Sequence, residues 1–153
     1  MDNCKLLGFC GLYCGACPHH RALFKDGRYI LEGALKNGLM LEEFTCEGCG
    51  ADKSLMRKAC ADCDMRACAM DKKVEHCGEC DNFPCGRFTA FQNDGLAHHL
   101  DIVANVSEIK NKGAKQWLSD QSEDWKCECG RPFSWYESVC SNCSSKLDSY
   151  KRL

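Results

Sequence analysis

"CGLYCGACP" occupies residues 10–18, and its three cysteines, Cys10, Cys14 and Cys17, stand at the spacing C-x3-C-x2-C. Such a stretch is a ligand loop, because short gaps let several sulfurs turn toward one ion at about 2.3 Å. Outward from it the cysteines recur in blocks: Cys4 alone, then Cys46 and Cys49, then Cys60, Cys63 and Cys68. Cys77, Cys80 and Cys85 follow, and Cys127, Cys129, Cys140 and Cys143 close the series. The C-x2-C pairs 14/17, 46/49, 60/63, 77/80 and 140/143 make the pattern specific, since repetition at knuckle spacing is the mark of metal sites. "CADCDMRAC" (60–68) and "CGECDNFPC" (77–85) also share C-x2-C-D-x3-C. They are expected to form two similar metal-holding loops packed side by side.

Composition points the same way. The hydrophobic share of 44% in 153 residues includes 16 cysteines. Without them about a third of the chain is apolar, a thin supply for a single core. Something besides burial is expected to hold the fold. The start, MDNCKLLGFCG, lacks the basic and apolar regions of a signal peptide. No apolar run approaches the ~20 residues that span a bilayer. A cytoplasmic location without membrane association is therefore expected, where cysteines serve metals rather than disulfides. The formal charge of −2 counts thiols as neutral. Thiolate ligation of three zinc ions would take it to roughly −8, which argues against non-specific nucleic-acid binding.

The spacing C-x3-C-x2-C also resembles the cluster loop of radical S-adenosylmethionine enzymes. Their partial barrel takes on the order of 190 residues, and no β-rich alternation of that length exists here. Ala16 precedes Cys17 where that superfamily has an aromatic residue. Radical chemistry is set aside.

Ligand grouping follows from spacing and elimination. Cys46, Cys49, Cys60 and Cys63 form the central four-cysteine zinc site. Cys68, Cys77, Cys80 and Cys85, with Cys10, Cys14 and Cys17, then share two ions. Seven sulfurs leave one place for His76, His19, a backbone-held water or Cys4. One grouping joins Cys85 to Cys10, Cys14 and Cys17, leaving Cys68 with Cys77 and Cys80. The other keeps Cys68, Cys77, Cys80 and Cys85 local. "WKCECGRPFSWYESVCSNC" (125–143) reads as a zinc ribbon, two knuckles on a β-hairpin, although Cys127-x-Cys129 is one residue tight.

Helices are expected in the cysteine-free stretches. One runs over Ala22–Leu35 and stops at Asn37-Gly38; another starts at Pro84. A third carries Leu96, Leu100, Val103 and Ile109 on one face and ends at Asn111-Lys112-Gly113, with His98-His99 inside it as structural residues. A short helix at Ala114–Leu118 follows, and Phe88, Phe91, Trp117 and Leu118 supply core. The expected fold is small α+β: short helices around cysteine-metal knuckles in a domain spanning 1–121, and a β zinc ribbon at 122–153.

The motifs at 10–18, "CEGC" (46–49), "CADCDMRACA" (60–69) and "VEHCGECDNFPC" (74–85) resemble the domain of unknown function 3795, a family of small cysteine-rich bacterial and archaeal proteins. The ribbon resembles an extension found in some members. The resemblance implies metal binding through these cysteines and no established activity.

Three functions remain open. Closed four-ligand zinc sites, about three or four ions in all, would make a structural protein-interaction or adaptor module with an unidentified protein partner. A [4Fe–4S] cluster on Cys10, Cys14, Cys17 and a distant cysteine would make an electron-transfer or redox-sensing protein. An enzyme would need a free thiolate or open metal position; the chain has no HExxH, nucleophile elbow, P-loop or Rossmann fingerprint.

Overall fold

Short helices, each ended by an identifiable residue, carry the backbone. The computed structural model describes residues 3–151. Its α-helices are α1 (Pro18–Arg21), α2 (Arg28–Lys36), α3 (Leu41–Phe44), α4 (Lys58–Ala61), α5 (Asp64–Asp71), α6 (Gly86–Gln92), α7 (Ile102–Lys112) and α8 (Ala114–Asp124). Single 3-10 turns at Asn3–Leu6, Cys14–Ala16, Cys77–Glu79 and Ala97–His99 lie among them. None of these helices is long and apolar enough to cross a membrane. The side chain of Cys4, a candidate fourth ligand, lies outside the described residues.

α2 buries Leu31 and Ala34 against Ala22 and Phe44. It stops at Asn37, whose side chain donates to the Gly33 carbonyl at 2.7 Å, before Gly38 at φ +82°. α7 buries Ile102, Val106 and Ile109, the i, i+4, i+7 stripe of one face. It ends at Gly113, φ +85°, where the chain turns into α8. Leu7 and Ile109 meet Trp117 and Leu118 of α8 in one cluster. The central cluster joins distant segments: Leu12 and Ala16, Met65 of α5, Phe88 of α6, Ile102 and Val106 of α7, and Trp135.

Several sequence expectations need correction. Leu96 and Leu100 are exposed and precede α7, so its buried face starts at Ile102 instead. His98 and His99 lie on a 3-10 turn, not inside a helix. α6 begins at Gly86 rather than Pro84, because Cys85 is still extended (φ −91°, ψ 169°).

The largest correction concerns the fold class. Among the described residues there is no β-strand, so neither an α+β fold nor a C-terminal β zinc ribbon forms; the chain is helical. Lys126↔Pro132 and Val139↔Lys146 are isolated antiparallel bridges, one closing each knuckle. Between them the backbone is engaged elsewhere. The Trp135 amide donates to the Ala16 carbonyl at 3.0 Å, and the Trp135 carbonyl accepts from the Tyr150 amide at 2.7 Å. A residue whose amide and carbonyl are both spent on distant segments has none left for a hairpin ladder.

Gly48 makes a tight turn between Cys46 and Cys49. Its φ is +117°, and a Cβ there would sit 2.4 Å from the Lys5 carbonyl oxygen, which already accepts from Gly50 at 3.2 Å. Gly48→Ala is expected to cost about 2 kcal/mol, read as a lowered urea midpoint. Gly33→Ala, in α2 with nothing within 4 Å of the new methyl, should instead gain up to about 1 kcal/mol. Equal effects at both glycines would refute this account of the turn.

Candidate metal centres

Cys127, Cys129, Cys140 and Cys143 have sulfurs all within 4.8 Å of one another, and no other such group occurs among the described residues. Cys127 Sγ lies 3.4 Å from Cys143 Sγ, and Cys129 Sγ lies 3.7 Å from Cys140 Sγ. Two sulfurs at 2.3 Å from a tetrahedral ion are about 3.8 Å apart, so these four fit one ion with little movement. The tight Cys127-x-Cys129 spacing is absorbed by Gly130. Its φ of +85° lets its amide donate to the Cys127 carbonyl at 2.7 Å.

Backbone amides aim at these sulfurs. Amides of Cys143 and Asn142 donate to Cys140 Sγ, and the first of these leads in holding that thiol down to about 6. Cys143 is lowered by the Ser145 hydroxyl and amide. Cys127 is drawn down by the Cys129 amide, but burial and the three neighbouring thiols lift it to about 12. Four sulfurs within ligand range of one point, with backbone amides aimed at them, are suited to a divalent cation.

The surrounding residues anchor this centre to the helices. Arg131 pairs with Glu137 at 2.6 Å, both nine-tenths buried, and donates to the Asp26 carbonyl at 3.1 Å. Glu137 also accepts from the Ser134 amide at 3.0 Å. His98 stacks on Trp135 at 4.2 Å and its Nδ1 meets the Tyr136 hydroxyl at 2.6 Å. α8 runs through the boundary expected at residues 121/122.

The remaining cysteines fall in two regions, and no disulfide joins any described cysteine. In the first, Cys77 is pushed up to about 11 by burial and then by the charges of Cys85, Cys68 and Cys80. Lys72 donates from Nζ to Cys80 Sγ at 3.2 Å. The Asn82 amide, with that lysine, lowers Cys80. Lys72, whose amide donates to the Cys68 carbonyl at 3.1 Å, thus ties the repeat loop at 60–68 to the one at 77–85.

In the second region, burial raises Cys10 and Cys14, with Cys49 the leading charge on each. The Cys49 amide donates to Cys14 Sγ, and the Phe9 amide to Cys49 Sγ. Burial lifts Cys17 to about 11 against amides of His19 and His20. The Cys60 thiol, with the Arg57 and Gly48 amides, draws Cys46 down to about 6, while Cys46 and burial raise Cys60.

The histidines divide by their ring nitrogens. His76 Nδ1 accepts from the Gly78 amide at 3.2 Å and Nε2 faces Glu79 at 4.0 Å, so its lone pair is engaged in its own turn. His19 Nδ1 donates to the Phe44 carbonyl at 2.7 Å, and His20 Nδ1 to the Cys46 carbonyl at 3.0 Å. That tautomer leaves the Nε2 lone pair available to a metal. Spacing singled out His19 but passed over His20, and adjacency to Cys17 was the only signal for either.

Comparison with known proteins adds one finding. Neither the curated proteins nor the solved structures include a match to the sequence. The family described as "Protein of unknown function (DUF3795)" matches residues 6–90, which hold the N-terminal ligand loop and both C-x2-C-D-x3-C repeats. By this match over more than half its length, the chain belongs to the DUF3795 family.

Proposed function

We propose that this protein is a structural zinc protein whose closed thiolate centres hold a helical scaffold for protein–protein contact. The observation that carries the reading is the four sulfurs of Cys127, Cys129, Cys140 and Cys143 within ligand range of one ion. Cys46, Cys49, Cys60, Cys63, Cys10, Cys14, Cys17, Cys68, Cys77, Cys80 and Cys85 supply the remaining ligands. Zinc bound there contributes folding energy, with no open position for chemistry. A contact role is supported by exposed Leu23, Phe24, Tyr29, Leu35, Leu39 and Met40 along and beside α2.

Metal analysis of reduced protein, purified anaerobically without added metal, tests the reading. About three or four zinc ions per colourless chain are expected. Brown protein with iron and acid-labile sulfide in their place would establish the iron–sulfur alternative. A metal count near zero in folded, reduced protein would overturn both.

A further inference from the structure

The C-terminal quartet would close the coordination of its metal, yet two of its sulfurs stay open to solvent. Cys127 and Cys140 are buried, at 6% and 1% exposure, whereas Cys129 and Cys143 are exposed. Each exposed sulfur has a buried one beside it. Cys129 Sγ lies 3.7 Å from Cys140 Sγ, and Cys143 Sγ lies 3.4 Å from Cys127 Sγ. A bound metal keeps its cysteine ligands as thiolates, the form of sulfur that acts as a nucleophile. Oxidation follows thiolate character and exposure, and it ends in a disulfide where a second sulfur stands close.

The two exposed sulfurs differ in their surroundings. A cavity of about 500 Å³ opens beside Cys129, lined also by Asp26, Gly130, Arg131, Ser141 and Asn142. One wall is fixed from behind: Arg131 donates to the Asp26 carbonyl at 3.1 Å and pairs with Glu137 at 2.6 Å. The Asn142 side-chain amide donates to Cys129 Sγ over a long 3.5 Å. Cys143 does not line the cavity, and its sulfur is engaged with the Ser145 hydroxyl at 3.3 Å.

We propose that Cys129 is a site of oxidation by hydrogen peroxide, with Cys140 as the resolving sulfur, and that the reaction releases the metal of this quartet. The Cys129 thiolate gives an electron pair to one peroxide oxygen. The O–O bond breaks, and the departing hydroxide is protonated by solvent. The Cys140 thiolate then attacks the sulfenic acid formed on Cys129. An S–S bond forms, the S–O bond breaks, and a second hydroxide leaves to be protonated in turn. Two thiolates, one peroxide and two protons thus become one disulfide and two water molecules, with sulfur oxidised and peroxide reduced. Cys127 and Cys143 then remain as ligands, too few for a structural zinc. The ion departs, and the knuckles at 126–132 and 139–146 lose what joins them.

This inference rests on the zinc reading, and a titration of the full, zinc-loaded chain separates the two. Hydrogen peroxide is added up to stoichiometry and then in excess. Released zinc is followed with a chromogenic chelator, and free thiols are alkylated before digestion. Trypsin with a glutamate-specific protease cuts after Lys126, Glu128 and Glu137, so Cys127 and Cys129 fall on separate peptides, apart from Cys140 and Cys143. Mass spectrometry of the fragments then assigns the bond. Stoichiometric peroxide is expected to release one zinc per chain and to join Cys129 to Cys140, with the cysteines of residues 10–85 still reduced. A first disulfide between Cys127 and Cys143, or anywhere in 10–85, overturns the proposal, as does zinc retained against excess peroxide. Absence of zinc from the untreated chain overturns the zinc reading itself. Asn142→Ala gives a second readout, because it keeps every ligand and every backbone amide. Without that side-chain hydrogen bond the Cys129 thiolate is a better nucleophile, and zinc release should be about 2- to 5-fold faster. An unchanged rate would place the first attack elsewhere and refute the proposal.

Discussion

Cys140→Ser is expected to remove one zinc ion per chain and to disorder the two knuckles, at residues 126–132 and 139–146. Cys140 is the most buried sulfur of its quartet, packed with Cys127, Phe133 and Leu147 in a cluster that contains little else. No strand ladder holds these knuckles, and only one backbone bridge closes each of them. A structural zinc contributes on the order of 10 kcal/mol to such a region. Loss of one ligand forfeits most of it, because two isolated bridges and one small cluster cannot replace it. Metal analysis gives the count, and limited proteolysis should show new cleavage within residues 126–132 and 139–146. An unchanged count with intact knuckles would mean that the quartet holds no metal.

The second large effect is expected from Trp135→Ala, at about 3–5 kcal/mol of stability. The indole lies in the central cluster with Leu12, Ala16, Met65, Phe88, Ile102 and Val106, and His98 covers one of its faces. Its removal leaves a cavity lined by four different parts of the chain, which cannot collapse together. The C-terminal quartet draws all its ligands from residues 127–143, so its zinc should remain. Urea unfolding followed beside metal content separates these outcomes. A cost under about 1 kcal/mol would show that the C-terminal segment does not contribute to the core.

Trp135 also shows where sequence reading stops. Periodicity and punctuation were sufficient for the stop of α2 at Asn37-Gly38 and for the end of α7 at Gly113, but not for the start of α2, which lies at Arg28 rather than Ala22. Those signals are local: a side chain, a turn, a positive φ. Knuckle spacing likewise located the C-terminal quartet, whose ligands lie within 17 residues of one another. The β ribbon was misread because its failure is not local. The Trp135 amide reaches Ala16, more than a hundred residues away, and no pattern within 125–143 encodes that partner. Leu96 and Leu100 misled for a related reason. Their spacing runs on to Val103 as one helical face, but both residues precede α7, and the face that α7 buries is the other one, of Ile102, Val106 and Ile109. The relations among the central cysteines were hidden by the same limit, since C-x2-C spacing identifies ligands without saying which knuckle faces which.

The amide of Trp135 held by Ala16 has a consequence for biosynthesis. Ribosomes add about 5–20 residues per second, so the N-terminal ligand loop waits on the order of 10 s for its covering indole to emerge. During that interval the thiols of Cys10, Cys14 and Cys17 are open to oxidation, and to whichever metal arrives first. A metal ion bound there before α7 and Trp135 close over the loop would shield them. For this chain, the order in which its parts leave the ribosome is also an order of protection.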